Sequence, residues 1–304
     1  MIDFLLLSAD DDQLLQFLEN HHVVSGSRWC EQCFESCRRD VGRKLFICDK
    51  RHTSVDAHSR RRSWRCRYSR SMFADTWFAH VRLSVRDVCR LNCMWLVLPF
   101  PRQNFIMREI GVSSHSVVDW SSFCREVCMF WLEQRCEVLG GPGIVVEIDE
   151  AKIGRRKYNR GRWVNGNWVF GGIERGRPTG RCFIVPVPNR GAVTLLGVIK
   201  KWIRPGTTII SDCWKAYDCL SSEGFIHQTV NHSQNFVDPC TRSHTQNIER
   251  VWREVRGNIP RFGRREGHMV GYLAEFLFKQ KFSDHRDRVH AFFSAVGQLY
   301  PPSF

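Results

Sequence analysis

The chain has 304 residues, 43% hydrophobic and 25% charged, a balance that excludes both a disordered polyelectrolyte and a membrane-embedded bundle. Lys and Arg number 45 against 31 Asp and Glu, a formal charge of +14, and arginines crowd at 60–70, 155–162 and 253–265, so a polyanion is the expected partner. The 14 cysteines are scattered through a long chain with an ordinary apolar content and read as reduced thiols rather than a disulfide framework.

Residues 1–28 read as an amphipathic helix, with Leu14, Leu15, Phe17 and Leu18 after an acidic first turn, followed by a polar linker. The opening Met1-Ile2-Asp3-Phe4-Leu5-Leu6-Leu7 lacks a basic n-region and meets Asp10-Asp11-Asp12, so no secretory signal is expected. The longest apolar run, 94–100, is far short of the roughly 20 residues of a bilayer span. A soluble intracellular protein with no membrane partner is the expectation.

Residues 29–77 form a Cys-rich basic segment: Cys30 and Cys33, then Cys37, Cys48, His52, His58 and Cys66, with little apolar periodicity. Such a segment cannot bury enough surface to fold unaided, and a tetrahedral zinc is the usual remedy. Cys30, Cys33 and Cys66 are the candidate ligands. A second close pair would put its thiol at position 69, where Ser69 stands, which makes the segment a degenerate ribbon and leaves Cys37, Cys48 or His52 to complete the set.

Residues 78–139 read as helical. Ser84 can cap a helix carrying Val85, Val88, Leu91 and Trp95, with Asp87 completing a capping-box-like pair. A second helix covers 102–110, and Gly111-Val112-Ser113 then makes a helix-turn-helix corner. The next helix presents His115, Ser116 and Asp119 outward and Val117, Val118, Phe123 and Val127 inward. In a basic protein this arrangement would dock in a major groove, which makes His115 and Ser116 candidate DNA contacts.

Residues 140–282 alternate strand and helix signals and read as one α/β domain, followed by a C-terminal tail at 283–304. Its first strand, Gly143 to Gly154 in sequence, turns Ile144, Val146 and Ile148 to one face and Val145, Glu147 and Asp149 to the other. A carboxylate there is costly unless something cationic meets it. After a basic loop, strands over 167–174 and 181–186 form an antiparallel hairpin, a helix covers 192–203, and the next strand ends at Asp212. Three antiparallel strands, a crossover helix and a strand ending in Asp is the order of an RNase H-like fold, a mixed five-stranded sheet with flanking helices. Over 245–256 the stripe Ile248, Val251, Trp252 and Val255 is buried, and Glu249, Arg253 and Arg256 recur on the opposite face.

Asp149, Asp212 and Glu249 are therefore the candidate catalytic and metal-binding residues. Phosphodiester chemistry needs an activated oxygen and a stabilised leaving oxygen, and two Mg²⁺ ions held by carboxylates serve both, Asp149 bridging, Asp212 on one ion and Glu249 on the other. Mn²⁺ can substitute. Arg253 and Arg256, with Lys157, Arg160 and Arg162 of the basic loop, are the candidate phosphate contacts.

Several blocks together resemble the catalytic domain of the Merlin-type DDE transposases and their bacterial insertion-sequence relatives. They are Val146-Glu147-Ile148-Asp149-Glu150, Arg156-Lys157-Tyr158-Asn159-Arg160-Gly161-Arg162, Trp168 to Glu174, Ile209 to Tyr217, Val230-Asn231-His232 and His244-Thr245-Gln246-Asn247-Ile248-Glu249. The resemblance covers about 140–282 and places the family's acidic triad on Asp149, Asp212 and Glu249. It implies cut-and-paste transposition: binding of terminal inverted repeats in double-stranded DNA, strand cleavage, and joining of the freed ends to target DNA by at least a dimer. It implies a nuclear protein if eukaryotic, cytoplasmic or nucleoid-associated if bacterial. Phe73 and Asp75 depart from the family's basic residue and glycine, so a domesticated DNA-binding descendant without transposition activity, or a nuclease of the same fold, are the rival expectations.

Overall fold

A computed structural model describes residues 2–55, 60–135, 137–153, 166–176, 181–230, 244–260 and 266–303. The amino-terminal elements are α1 (Ile2–Leu7), α2 (Asp11–Asn20), β1 (Arg38–Asp40), β2 (Leu45–Ile47), β3 (Arg51–Val55), β4 (Arg61–Arg65) and β5 (Ser69–Ser71). Three helices follow, α3 (Val85–Val97), α4 (Gln103–Ile110) and α5 (Ser114–Glu133). Next come β6 (Leu139–Gly140), β7 (Val145–Ile153), β8 (Asn167–Glu174), β9 (Cys182–Val187), α6 (Ala192–Trp202), β10 (Ile203–Arg204), β11 (Thr208–Asp212) and β12 (Ile226–Val230). The last are α7 (Gln246–Asn258), α8 (Met269–Lys281) and α9 (His285–Leu299). The chain divides into two compact units, one of residues 1–98, 102–130 and 282–304, the other of 99–101 and 131–281. Among the described residues no helix is long and apolar enough to cross a membrane.

In the first unit the single amino-terminal helix of the sequence reading is two. Asp10 accepts from the N–H groups of Asp12 and Gln13 at 2.8 and 3.0 Å, and this N-cap starts α2 afresh. Leu14, Leu15, Phe17 and Leu18 are buried as expected. The segment 283–304, expected as a tail, contains α9. Val289, Phe292, Phe293 and Val296 fall at helical spacing and are buried, with Phe293 edge-on to Phe17 at 5.2 Å and Asp284 capping the helix start.

Ser84 caps α3 through the Asp87 N–H at 3.0 Å, and Val88, Leu91 and Trp95 are buried. The α4–α5 corner is as read from the sequence: Gly111 takes φ +75° and closes on the Met107 carbonyl, and Ser113 accepts from the Ser116 N–H at 3.1 Å. Val118 and Phe123, expected inward, are 51% and 44% exposed. The buried stripe of α5 runs instead through Val117, Trp120, Ser121, Cys124, Val127 and Cys128, and Val118 lies about 100° around the helix from Val117.

His21, at the end of α2, donates from Nδ1 to the Phe17 carbonyl and meets His290 Nδ1 with its Nε2 at 2.9 Å. Burial, and the neighbouring His290 and His22, hold its pKa below the ordinary 6.5. The unfolded chain then takes up the proton first, so stability present above pH 6.5 is lost as pH falls through the ordinary and then the depressed value. Thermal midpoints of the chain are expected to drop from pH 7 to pH 5, and a His21→Gln variant to show less of that drop.

The second unit is built on a five-stranded mixed sheet of order β12-β11-β7-β8-β9. β7, β8 and β9 are antiparallel, while β11 pairs in parallel with both β7 and β12. Alternation on the strands produces two apolar faces. Val146, Ile148, Phe170, Phe183 and Ile209 pack with Leu195 and Ile199 of α6. Ala151, Ile153, Val169, Ile173 and Ile184 pack with Ile248, Val251, Trp252 and Val255 of α7 and with Tyr272, Leu273 and Phe276 of α8. The sheet is thus covered by helices on both sides, and its central strand carries the acids.

Candidate functional site

The β7 strand carries Glu147 and Asp149 on the α7 face and Glu150 on the α6 face, as two-residue periodicity requires. Register does the rest. β11 pairs Thr208 with Val145 and Ile210 with Glu147, and the same pairing carried two residues on sets Asp212, the last residue of β11, beside Asp149. Neighbouring strands lie about 4.8 Å apart, so the two carboxylates share one end of the sheet.

Their charges act on each other's surroundings. Burial first, then the negative charges of Glu150 and Asp212, push the Asp149 carboxyl up to about 7. The Trp252 indole N–H, 3.0 Å from Asp149 Oδ2, works in the opposite direction. Burial and Asp212 also raise Glu150, which accepts a 2.6 Å hydrogen bond from the Tyr217 hydroxyl and has Arg190 at 3.8 Å. Arg190 is stacked over Trp214 at 4.3 Å. Tyr217 is buried beneath Glu150, while the Trp214 ring forms part of the surface beside it. Clustered carboxylates held against ionisation are a site for a cation.

Glu249 lies on α7, one turn before Trp252, with its Oε1 accepting from the Thr245 hydroxyl at 3.2 Å. It is exposed, as are Arg253 and Arg256 farther along the helix. Among the described residues, the side chains that bring three or more ligand atoms within 4.8 Å of one another are the cysteines discussed below; the three acids form no such group. Asp149 and Asp212 are brought together; Glu249 is carried by the helix whose Trp252 touches Asp149. Lys157, Arg160, Arg162 and His232 lie outside the described residues.

The start of α7 is fixed in a way that sequence patterns did not reveal. Thr245 sits at its N-cap but its hydroxyl caps no backbone N–H. Glu147, fully buried, takes that role from β7: Oε2 accepts from the N–H groups of Asn247 and Ile248 at 2.9 and 3.2 Å, and Oε1 from Asn247 Nδ2 at 2.7 Å. The Arg175 guanidinium pairs with Oε1 at 2.6 Å and also donates to the His244 carbonyl. A carboxylate at a helix N-terminus satisfies its orphan donors and opposes its dipole. The signal available in sequence was an acid on the buried face of a strand, which needs a partner that spacing alone does not name.

Gly171 of β8 is the register partner of Asp149. A Cβ there would come within 2.8 Å of the Trp252 ring and 3.0 Å of the Phe183 carbonyl oxygen. The missing side chain is what lets the indole lie against the sheet and reach Asp149. Gly171→Ala is expected to cost about 1 to 3 kcal/mol by overpacking, read as a lower urea midpoint, and to move Trp252 off Asp149.

In the first unit Cys30, Cys33, Cys48 and Cys66 bring their sulfurs within 4.8 Å of one another. Cys30 and Cys66 are 3.7 Å apart, against about 3.8 Å for two thiolates on a tetrahedral zinc with 2.3 Å bonds. The four thiols are compatible with a zinc site. Cys48 is the fourth member. Cys37 is buried nearby but outside the group, and His52 Nε2 lies 3.0 Å from the Cys33 sulfur. Cys48 was one of three candidates in the sequence because its link to the others is made through the β2–β5 pairing, not by a motif spacing.

Residues 138–281 match the family model described as an ISXO2-like transposase domain. An uncharacterized transposase-like protein of Haemophilus influenzae is 26% identical over 110 residues, which are 36% of this chain and 88% of that protein. These matches support an insertion-sequence transposase family and a transposase-related function. Among solved structures, the simian T-cell lymphotropic virus intasome in complex with PP2A regulatory subunit B56 gamma is similar at 13% identity. The similarity covers 64% of this chain and 63% of that chain at a TM-score of 0.25, too low to bear on the fold.

Proposed function

We propose that the domain spanning 138–281 is an RNase H-like DDE transposase catalytic domain, of the Merlin type, acting in a protein, nuclear if eukaryotic and cytoplasmic or nucleoid-associated if bacterial, that cleaves terminal inverted repeats and joins them to target DNA. The observation that carries the reading is the pair Asp149 and Asp212 at one end of adjacent parallel strands, with burial and the negative charges of Glu150 and Asp212 raising the Asp149 carboxyl, within a segment matched by a transposase family.

The donor set fits hard divalent cations. Asp149 and Asp212 offer carboxylate oxygens at one sheet end, and burial with the neighbouring negative charges makes ionisation of Asp149 costly, a cost that a cation would relieve. Asp149, Asp212 and Glu249 would hold the ions, two Mg²⁺ or Mn²⁺, and an ion there supplies an activated attacking oxygen and a stabilised leaving oxygen. Trp252 fixes the Asp149 carboxylate in orientation, and Glu147 fixes the helix that brings Glu249. Arg190, beside Glu150, and Arg253 and Arg256, exposed on α7, would hold phosphates, and His115 and Ser116 on α5 would meet the duplex.

A labelled inverted-repeat end incubated with Mg²⁺ tests the reading, with Asp149→Asn alongside. Metal-dependent nicking is expected, reduced at least a thousandfold in the variant, followed by joining to a target duplex in which two copies of the chain are needed. Nicking without joining would make the protein a nuclease. Equal binding and no cutting by either chain would leave a DNA-binding descendant.

A further inference from the structure

The five-stranded sheet ends on one side at β9, whose strand partner among the described residues is β8 alone. The Glu174 N–H donates to the Arg181 carbonyl at 2.9 Å, and bonding positions alternate along an antiparallel pair, so Arg181, Phe183, Val185 and Val187 turn their backbone groups toward β8. Cys182, Ile184 and Pro186 turn theirs away. Pro186 has no N–H to leave unpaired, and an outward position on an edge strand is where proline is tolerated. Cys182 and Ile184 each keep a donor and an acceptor, about 6.8 Å apart along the strand. Proline blunts one end of this edge, and an open cavity lies along the rest.

That cavity, of about 540 Å³, follows Cys182, Phe183, Ile184 and Val185. Its walls are apolar on both faces of the sheet. Trp202 stacks on Phe183 at 5.5 Å on the α6 side, and on the α8 side stand Leu277 and Trp131, the latter edge-on to Phe278 at 5.1 Å. The charges gather where β9 begins. Arg181 and Lys281 both meet Glu137, at 2.9 and 3.4 Å, Arg181 also meets the buried Glu174, and Gln280 receives the Cys182 thiol at 2.9 Å. Arg135 lines the same cavity with its guanidinium over the Trp131 ring, and makes no ion pair among the described residues. Glu137 is thus the one acid of the lining, facing Arg135, Arg181 and Lys281.

We propose that this edge takes up an extended segment of a partner protein by strand addition, its apolar side chains packing against Trp202 on one face and Leu277 on the other and its carboxylates meeting Arg135 and Lys281. Backbone donors and acceptors repeating at the period of a strand select an extended peptide over a compact ligand. The basic end selects an acidic peptide, and it sets two copies of this groove against each other. The surface is built from the second unit alone and does not depend on the transposase reading.

The test is fluorescence-anisotropy titration of the full chain, as purified with its metal, with three labelled octapeptides. The first has two glutamates followed by alternating valine and threonine, the second has lysines for the glutamates, and the third is the first with every valine and threonine amide N-methylated. The glutamate peptide is expected to bind about tenfold tighter than its methylated form, which keeps the charge and loses the donors. It should also bind about five- to tenfold tighter than the lysine peptide, and Arg135→Glu with Lys281→Glu should reverse that preference. Should the double variant not fold, Arg135→Glu alone is measured, with the preference expected to shrink. Equal binding of the methylated peptide overturns the proposal, as does failure of the glutamate peptide to bind or an unchanged charge preference in a folded variant. Self-association of the chain that is lost in Cys182→Pro, where an outward N–H is removed, would give the edge to a second copy and overturn it too.

Discussion

Glu147→Ala is expected to destabilise the second unit by about 3 to 5 kcal/mol, the cost of removing one partner from a buried ion pair. The change would leave the Arg175 guanidinium without its carboxylate and two N–H groups at the start of α7 without an acceptor. Urea denaturation should show the loss as a lower midpoint at nearly unchanged slope. Glu147→Gln keeps the shape and one acceptor oxygen and should fall between the two. Because α7 also carries Glu249 and Trp252, cleavage in the proposed reaction should fall in both variants even at temperatures where they remain folded.

Cys48→Ser is expected to empty the cysteine cluster, and Cys37→Ser to leave it filled. Elemental analysis should find one zinc per chain in the parent and in Cys37→Ser, and none in Cys48→Ser. The small core beneath the cluster is Leu15, Phe46 and Met72 with the cysteines themselves, too little to hold three short strands without a metal. Apparent binding energies of structural zinc, about 10 kcal/mol or more at neutral pH, are of the size that decides whether such a module folds. Residues 29–77 in Cys48→Ser should accordingly be cut by protease at concentrations that spare the parent.

Where the sequence was legible, a period made it so. Alternation on β7 separated Glu147 and Asp149 from Val146 and Ile148, helical spacing on α7 set the exposed Glu249 apart from the buried Ile248, Val251 and Val255, and Asp212 was placed at a strand end. The pattern Val289, Phe292, Phe293, Val296 was equally regular, and the tail assignment at 283–304 overlooked it. Partners made through space were not legible. Nothing in the spacing of Cys48 separates it from Cys37, and nothing in Val146-Glu147-Ile148 names Asn247, about a hundred residues away, as the group its carboxylate will hold. The inward assignment of Val118 and Phe123 failed for a related reason: both flank the true stripe on α5, and the choice between flanks depends on which neighbours are present.

The tie between β7 and α7 also makes one strand the common ruler for two acids. Glu147 grips the helix bearing Glu249, and Asp149, two positions later on the same side, faces that helix through Trp252. Sliding the strand would carry both along, so their mutual spacing is insulated from movements of the sheet's outer edges. What does alter it is the reach of the gripping side chain: Glu147→Asp, shorter by one methylene, should draw the helix toward the strand and detune the two acids while leaving each chemically intact.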